Sequence, residues 1–178
     1  MRFIVNAIKL LAVLVAVLVV IAFFLPRHVA VSRSLAINAP VEQVFSHVNS
    51  LRAFAVWSPW SDYDPDMKVT FSGPETGVGS RMDWTSDQQN VGNGTQIITA
   101  SEENQRVETS LDFGAMGRAV AEFTLTPAAN GTEVRWGFVT DLGMNPVARW
   151  MGLVMDRWVG SDFENGLARL KIAAESDG

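Results

Sequence analysis

The stretch 106–125, RVETSLDFGAMGRAVAEFTL, decides the fold. Val107, Thr109, Leu111 and Phe113 alternate with Arg106, Glu108, Ser110 and Asp112, which is the two-residue period of a half-buried strand. Ala119, Ala121, Phe123 and Leu125 repeat the pattern after a glycine-containing break, so two strands lie side by side with one apolar and one polar face. Downstream, Asn130-Gly131 marks a hairpin turn, and Val134, Trp136 and Phe138 form the inward face of the next strand.

Upstream the same period recurs. Thr95 to Ala100 is one strand. Val78, Ser80, Met82 and Trp84 make an inward face against Arg81, Asp83 and Thr85. Met67, Val69 and Phe71 make another, with Gly73-Pro74 and Gly77 as turn residues. The polar run Asp87 to Gly94 is expected to be a hairpin connection. Val31, Arg33, Leu35 and Ile37 form a first strand with one polar exception. Asn38-Ala39-Pro40 then opens a helix, with Asn38 as expected cap and Val41, Val44, Phe45 and Val48 on one face. A second short helix follows from Leu51 to Val56, broken by Trp57-Ser58-Pro59-Trp60. Asn145-Pro146 opens a long last helix. Val147, Met151, Val154 and Trp158 keep helical spacing there. Phe163, Leu167, Leu170 and Ala174 continue it in a shifted phase, which predicts a bend near Gly160.

The ends and totals bound the function. Residues 10–25 carry no charge, and residues 3–25 have only Asn6 and Lys9 as polar exceptions, which predicts a transmembrane anchor. A cleaved signal peptide is the rival reading, but Phe23-Phe24-Leu25-Pro26 is bulky where a cleavage site needs small residues. A buried soluble helix is the third. The short basic N-terminus favours a domain on the periplasmic or extracellular side of a single-pass protein. The expected organisation is an anchor with basic flanks over 1–28, one domain over 29–175 and a tail over 176–178. Net charge is -5; without Arg2, Lys9, Arg27 and Arg33, 10 basic residues face 19 acidic ones, a net of -9. That balance argues against nucleic acid as a partner.

Cysteine is absent, which removes thiolate chemistry and disulfides. His28 and His47 belong to no catalytic or metal-binding constellation, and His47 reads as a surface or satisfied side chain. Asp62, Asp64 and Asp66 lack the glycine and distal glutamate of a calcium loop and read as a solvated acidic turn. Gly73, Gly77 and Gly79 are turn residues, not a phosphate loop. No metal site, cofactor or catalytic residue is expected. The six tryptophans are more informative, because large rigid side chains either fill a core or line an apolar pocket.

Asn38-Ala39-Pro40 with Val44-Phe45, Phe54, Trp57-Ser58-Pro59-Trp60 and Asp64-Pro65-Asp66-Met67 resemble the opening of SRPBCC proteins. More narrowly, they resemble the polyketide cyclase/dehydrase-like subfamily of the START and birch-pollen-allergen-like superfamily. Phe71-Ser72-Gly73-Pro74, Gly77-Val78-Gly79-Ser80, Trp84, Val91-Gly92 and Gly94 continue the likeness. Gly152-Leu153, Met155-Asp156, Val159-Gly160, Asp162-Phe163-Glu164, Gly166-Leu167 and Leu170-Lys171 close it, over residues 31–175. The resemblance implies an α+β helix-grip fold: a curved seven-stranded antiparallel sheet wrapped on a long C-terminal helix, with two short helices after the first strand. It also implies a hydrophobic cavity between sheet and helix. The candidate lining is Trp57, Trp60, Phe71, Met82, Trp84, Leu111, Phe113, Phe123, Trp136 and Phe138, faced by Met151, Val154, Met155 and Trp158. Ser80, Arg81, Thr109 and Arg118 are the polar candidates for specificity. The expected function is a membrane-tethered binding module for a lipid or other small hydrophobic ligand. The alternatives are a cyclase/dehydrase-like enzyme acting on an apolar substrate and a protein-interaction domain with a filled core.

Overall fold

The computed structural model describes residues 2–88 and 91–177. Helix α1 (Arg2–Ala22) precedes strand β1 (His28–Ile37). Short helices α2 (Val41–Val48) and α3 (Leu51–Trp57) and a 3-10 turn (Pro59–Asp62) come next. Strands β2 (Lys68–Ser72), β3 (Arg81–Thr85), β4 (Gly94–Glu102), β5 (Arg106–Asp112), β6 (Arg118–Ala128) and β7 (Gly131–Asp141) follow, and helix α4 (Pro146–Ser176) ends the chain. The strands form one antiparallel sheet in the order β1-β7-β6-β5-β4-β3-β2, so β1 closes against the last strand. This is a helix-grip fold, with α4 lying chiefly on β1.

The alternation read at 106–125 is realised in register. Val107, Phe123 and Trp136 sit opposite one another across β5, β6 and β7, and Thr109, Ala121 and Phe138 form the next row. The β6–β7 hairpin turns at Asn130-Gly131, where Gly131 has φ +133° and a side chain would collide with the Ile37 carbonyl. Of the expected hairpin over 87–94, residues 89 and 90 lie outside the described residues.

Two expectations need correction. Asn38 does not cap α2: Pro40 holds that position, and the Asn38 N–H donates to the Glu175 carboxylate at 2.8 Å. Val78 is exposed, because Gly77 and Gly79, both at positive φ, turn the chain ahead of β3; Ser80 is buried as expected. Arg33, the polar exception of the first strand, sits under α4 and donates to Glu164 at 2.7 Å and Asp156 at 3.1 Å. Helix α4 runs without interruption through Gly160. Gly160 admits the Arg33 guanidinium where a side chain would collide with it, and Gly166 admits Trp136 and Pro59. The phase shift along α4 therefore reflects two different faces of one helix.

At the start of α4, the Asn145 side chain accepts from the N–H groups of Val147 and Ala148, and Pro146 occupies the first turn, as expected.

Candidate functional site

The concave side of the sheet carries the aromatic set. Trp57, Met82, Trp84, Phe123 and Trp136 are buried in the core, while Trp60, Phe71, Phe113 and Phe138 are half-buried against it. Leu111 and Met155 are half-buried as well. Trp136 is at the centre. Phe163 of α4 stacks on it with centroids 4.0 Å apart and planes within 3°. Phe123 lies at 4.9 Å, and Trp57 and Trp60 each meet it edge-on at 5.6 Å. This end of the interior is packed solid.

The Trp57-Ser58-Pro59-Trp60 segment pins the packing. Trp57 Nε1 donates to the His47 carbonyl at 3.3 Å, and Pro59 lies against Gly166. Ser50 caps α3 by accepting from the Ala53 N–H, which holds Phe54 and Trp57 inward.

One row further along the sheet the wall steps down. Ala121 lies between Thr109 and Phe138, and Ala119 pairs with Leu111. Leu111, Phe113 and Phe138 around these alanines stay half-buried. Two buried polar groups on this wall, Gln96 and Thr109, are joined at 3.1 Å. Trp136 Nε1 is buried and has no hydrogen-bond partner among the described residues.

Helix α4 does not present its expected residues to this wall. Met151, Val154 and Trp158 are exposed, and the residues that meet the sheet are Phe163, Leu167, Leu170 and Ala174. At about 100° per residue, Met151, Val154 and Trp158 point about 120–180° away from Phe163. Spacing showed that the two sets were each periodic but not which one faced inward.

Of the polar candidates, Thr109 and Ser80 face inward, whereas Arg81 is paired with Asp83 and Arg118 with Asp112. The aspartates of 62–66 do structural work. Asp62 pairs with Arg169, and Asp64 is buried, accepting from the Asp66 N–H at 3.0 Å and from Ser86 Oγ at 2.5 Å. Asp64, Asp66, Lys68, Ser86 and Asn93 line an open polar groove of about 270 Å³. His47 bonds to Asp177 at 2.9 Å. No group of three histidine, cysteine or acidic side chains able to hold a metal is found among the described residues.

Sequence reasoning missed Arg149. It is buried near the start of α4, where it donates to the carbonyls of Phe23 (3.0 Å), Ala22 (3.4 Å), Leu25 (3.5 Å) and Gly143 (2.8 Å). An arginine amid apolar Val147, Met151 and Val154 was the available signal, since a charge on such a helix needs a partner.

Comparison with known proteins agrees with this geometry. No curated protein sequence matches the chain at a significant level. Among solved structures, TTHA0849 from Thermus thermophilus superposes with a TM-score of 0.64 at 14% identity, covering 84% of this chain and 99% of that one. SA2116 from Staphylococcus aureus, a protein of unknown function, gives 0.63 at 12%, covering 84% and 95%. The di-domain ARO/CYC protein StfQ of the steffimycin biosynthetic pathway gives 0.62 at 9%, covering 84% of this chain and 51% of that one. At these identities the likeness is one of fold. The family model described as polyketide cyclase / dehydrase and lipid transport matches residues 28–175, the whole of the sheet and nearly all of α4, and the chain belongs to that family.

Proposed function

We propose that the domain over 29–175 binds a lipid or similarly apolar small molecule on the concave face of its sheet, and that α1 tethers it to a membrane. The observation that carries the binding reading is the change in the concave wall from the large side chains of Phe123 and Trp136 to the small ones of Ala121 and Ala119, themselves buried, beside half-buried Leu111, Phe113 and Phe138. The family's description, which includes lipid transport, supports it. Binding fits this wall better than turnover, because its buried polar side chains, Gln96 and Thr109, are neutral and bonded to each other. For the tether, α1 is long and apolar enough to cross a bilayer, at 21 residues with none of its most apolar window buried.

Removing ~400 Å² of apolar surface from water contributes about 10 kcal/mol. Association costs at least about 4 kcal/mol. The balance corresponds to a Kd on the order of tens of micromolar. The test is native mass spectrometry of the domain begun at Arg27, against a mixture of fatty acids and phospholipids. Saturable binding is expected, and Ala121→Trp, which fills the step, abolishes it while the fold is retained. Absence of any saturable apolar ligand, or undiminished binding by a folded Ala121→Trp protein, refutes the reading. The tether is tested separately: the full chain stays with vesicles through high-salt and carbonate washing, and release by salt alone refutes it.

A further inference from the structure

The first turns of α4 carry a second apolar stripe that no part of the domain covers. Val147, Trp150, Met151, Val154 and Trp158 are all exposed, Val154 at 40% and Trp158 at 54%. On a helical wheel they fall within an arc of about 100°, centred opposite Phe163. The stripe is confined to these turns. Ser161 and Asn165, which continue the same face, are polar and exposed.

The start of α4 is also fastened to the end of α1. Arg149 donates to the carbonyl of Ala22, the last residue of α1, and to those of Phe23 and Leu25 just beyond it, and its guanidinium lies 5.7 Å from the Phe23 ring centroid. A cation there complements the negative end of the helix dipole. Trp150 Nε1 donates to the Leu18 carbonyl at 3.2 Å, four residues before α1 ends. If α1 spans a bilayer, this contact brings the first turn of α4 to the level of the membrane surface.

We propose that the exposed stripe of α4 is embedded in the headgroup–acyl boundary of the same bilayer that α1 crosses, so that the domain is docked on the membrane and not merely tethered to it. Trp150 and Trp158 have the amphipathic rings enriched at that depth. From residue 29 onward the chain is acidic, at a net of -8 from 11 basic and 19 acidic residues, so the docking is apolar and needs no anionic lipid. A membrane is a better fit than a second copy of the chain, because the stripe adjoins the end of α1, which is long and apolar enough to cross a bilayer.

The inference rests on the membrane reading of α1, and the experiment separates the two. The full chain is reconstituted in phosphatidylcholine vesicles and washed with carbonate. Loss from the vesicles at this step overturns the tether, and the docking with it. In retained protein, phosphatidylcholine brominated near the top of its acyl chains is expected to quench part of the tryptophan emission, more than lipid brominated near the chain ends. Trp158→Phe removes part of that quenching without touching the Trp150–Leu18 bond, and Trp158→Phe with Trp150→Phe removes most of it. Retained protein that is not quenched, or quenching that survives both substitutions, overturns the docking alone. A Val154→Cys chain, whose new thiol is its only one, tests the other occupant. It stays monomeric on oxidation in vesicles if lipid covers the stripe, and disulfide dimers overturn the proposal in favour of a second copy.

Discussion

Gly166→Ala sets two effects of similar size against each other. Alanine in a helix interior is favoured over glycine by about 1 kcal/mol. The new methyl, however, stands 2.6 Å from Trp136 Cζ3 and 3.1 Å from Pro59 Cδ. Neither neighbour has room to give. Trp136 is 2% exposed, with Phe163 stacked on one side and Phe123 close behind. Pro59 is buried in a 3-10 turn between Trp57 and Trp60. The helix itself must lift, and overpacking of this kind costs about 1–3 kcal/mol. The net expectation is a loss of about 1 kcal/mol, which lowers Tm by about 2–4 °C for a chain of this size. The assay is thermal unfolding of the full chain in detergent micelles, followed by near-ultraviolet circular dichroism of the tryptophans. A higher Tm would refute the reasoning. It would mean that Trp136 can retreat into slack behind it, so that the interior at this end is hollow and the ligand volume extends beneath the helix.

Gly160→Ala is expected to destabilise the chain because it displaces the Arg33 guanidinium from Asp156 and Glu164, yet to stabilise it in an Arg33→Ala background, where only the helix preference remains; additive effects in that double-mutant cycle would contradict the contact. Asp62, Asp83 and Asp141 are held below the usual carboxylate range by Arg169, Arg81 and Arg27, Asp112 by the Gly114 N–H and then Arg118, and Glu175 by the Asn38 N–H and then Lys171. Their contribution is therefore fully present above the unfolded values of about 4 and is lost as pH falls through the folded ones, so Tm should hold from pH 7 to 5 and drop below about 4, less steeply in high salt. A maximum of stability near pH 3 would show that these pairs do not stabilise the fold. Chelator is expected to leave both Tm and lipid binding unchanged; loss of either, restored by one metal, would reveal a site that the carboxylates Asp62, Asp64 and Asp66 are the first candidates to form.

The strands were legible because burial on one face of a sheet writes a two-residue period directly into the chain, and β5 to β7 follow it from Val107 to Phe138 apart from polar Thr109 on the buried face and apolar Val120 on the exposed one. Where the period failed, a specific contact or turn was responsible. Arg33 breaks the apolar face of β1 because acidic residues on α4 reach down to it, and Val78 falls outside β3 because two positive-φ glycines turn the chain and delay the start of the strand. Helix α4 posed a harder problem. Its two apolar sets are both periodic, and periodicity tells which residues share a face but not what the face meets. The choice between them is made by glycine. Gly160 and Gly166 flank Phe163, each about 60° from it on the helical wheel. Both are positions where a side chain would collide with a residue of the sheet. Two glycines flanking one large apolar residue inside a long helix cost about 2 kcal/mol in helix preference, a cost that close packing on that line offsets. They mark the Phe163 line as the face gripped by the sheet. The stripe from Val147 to Trp158 has no comparable sheet contact, and Arg149, on the buried side of the same turns, reaches the end of α1. That divides α4 into a half that holds the fold and a half whose apolar surface is left for something outside it.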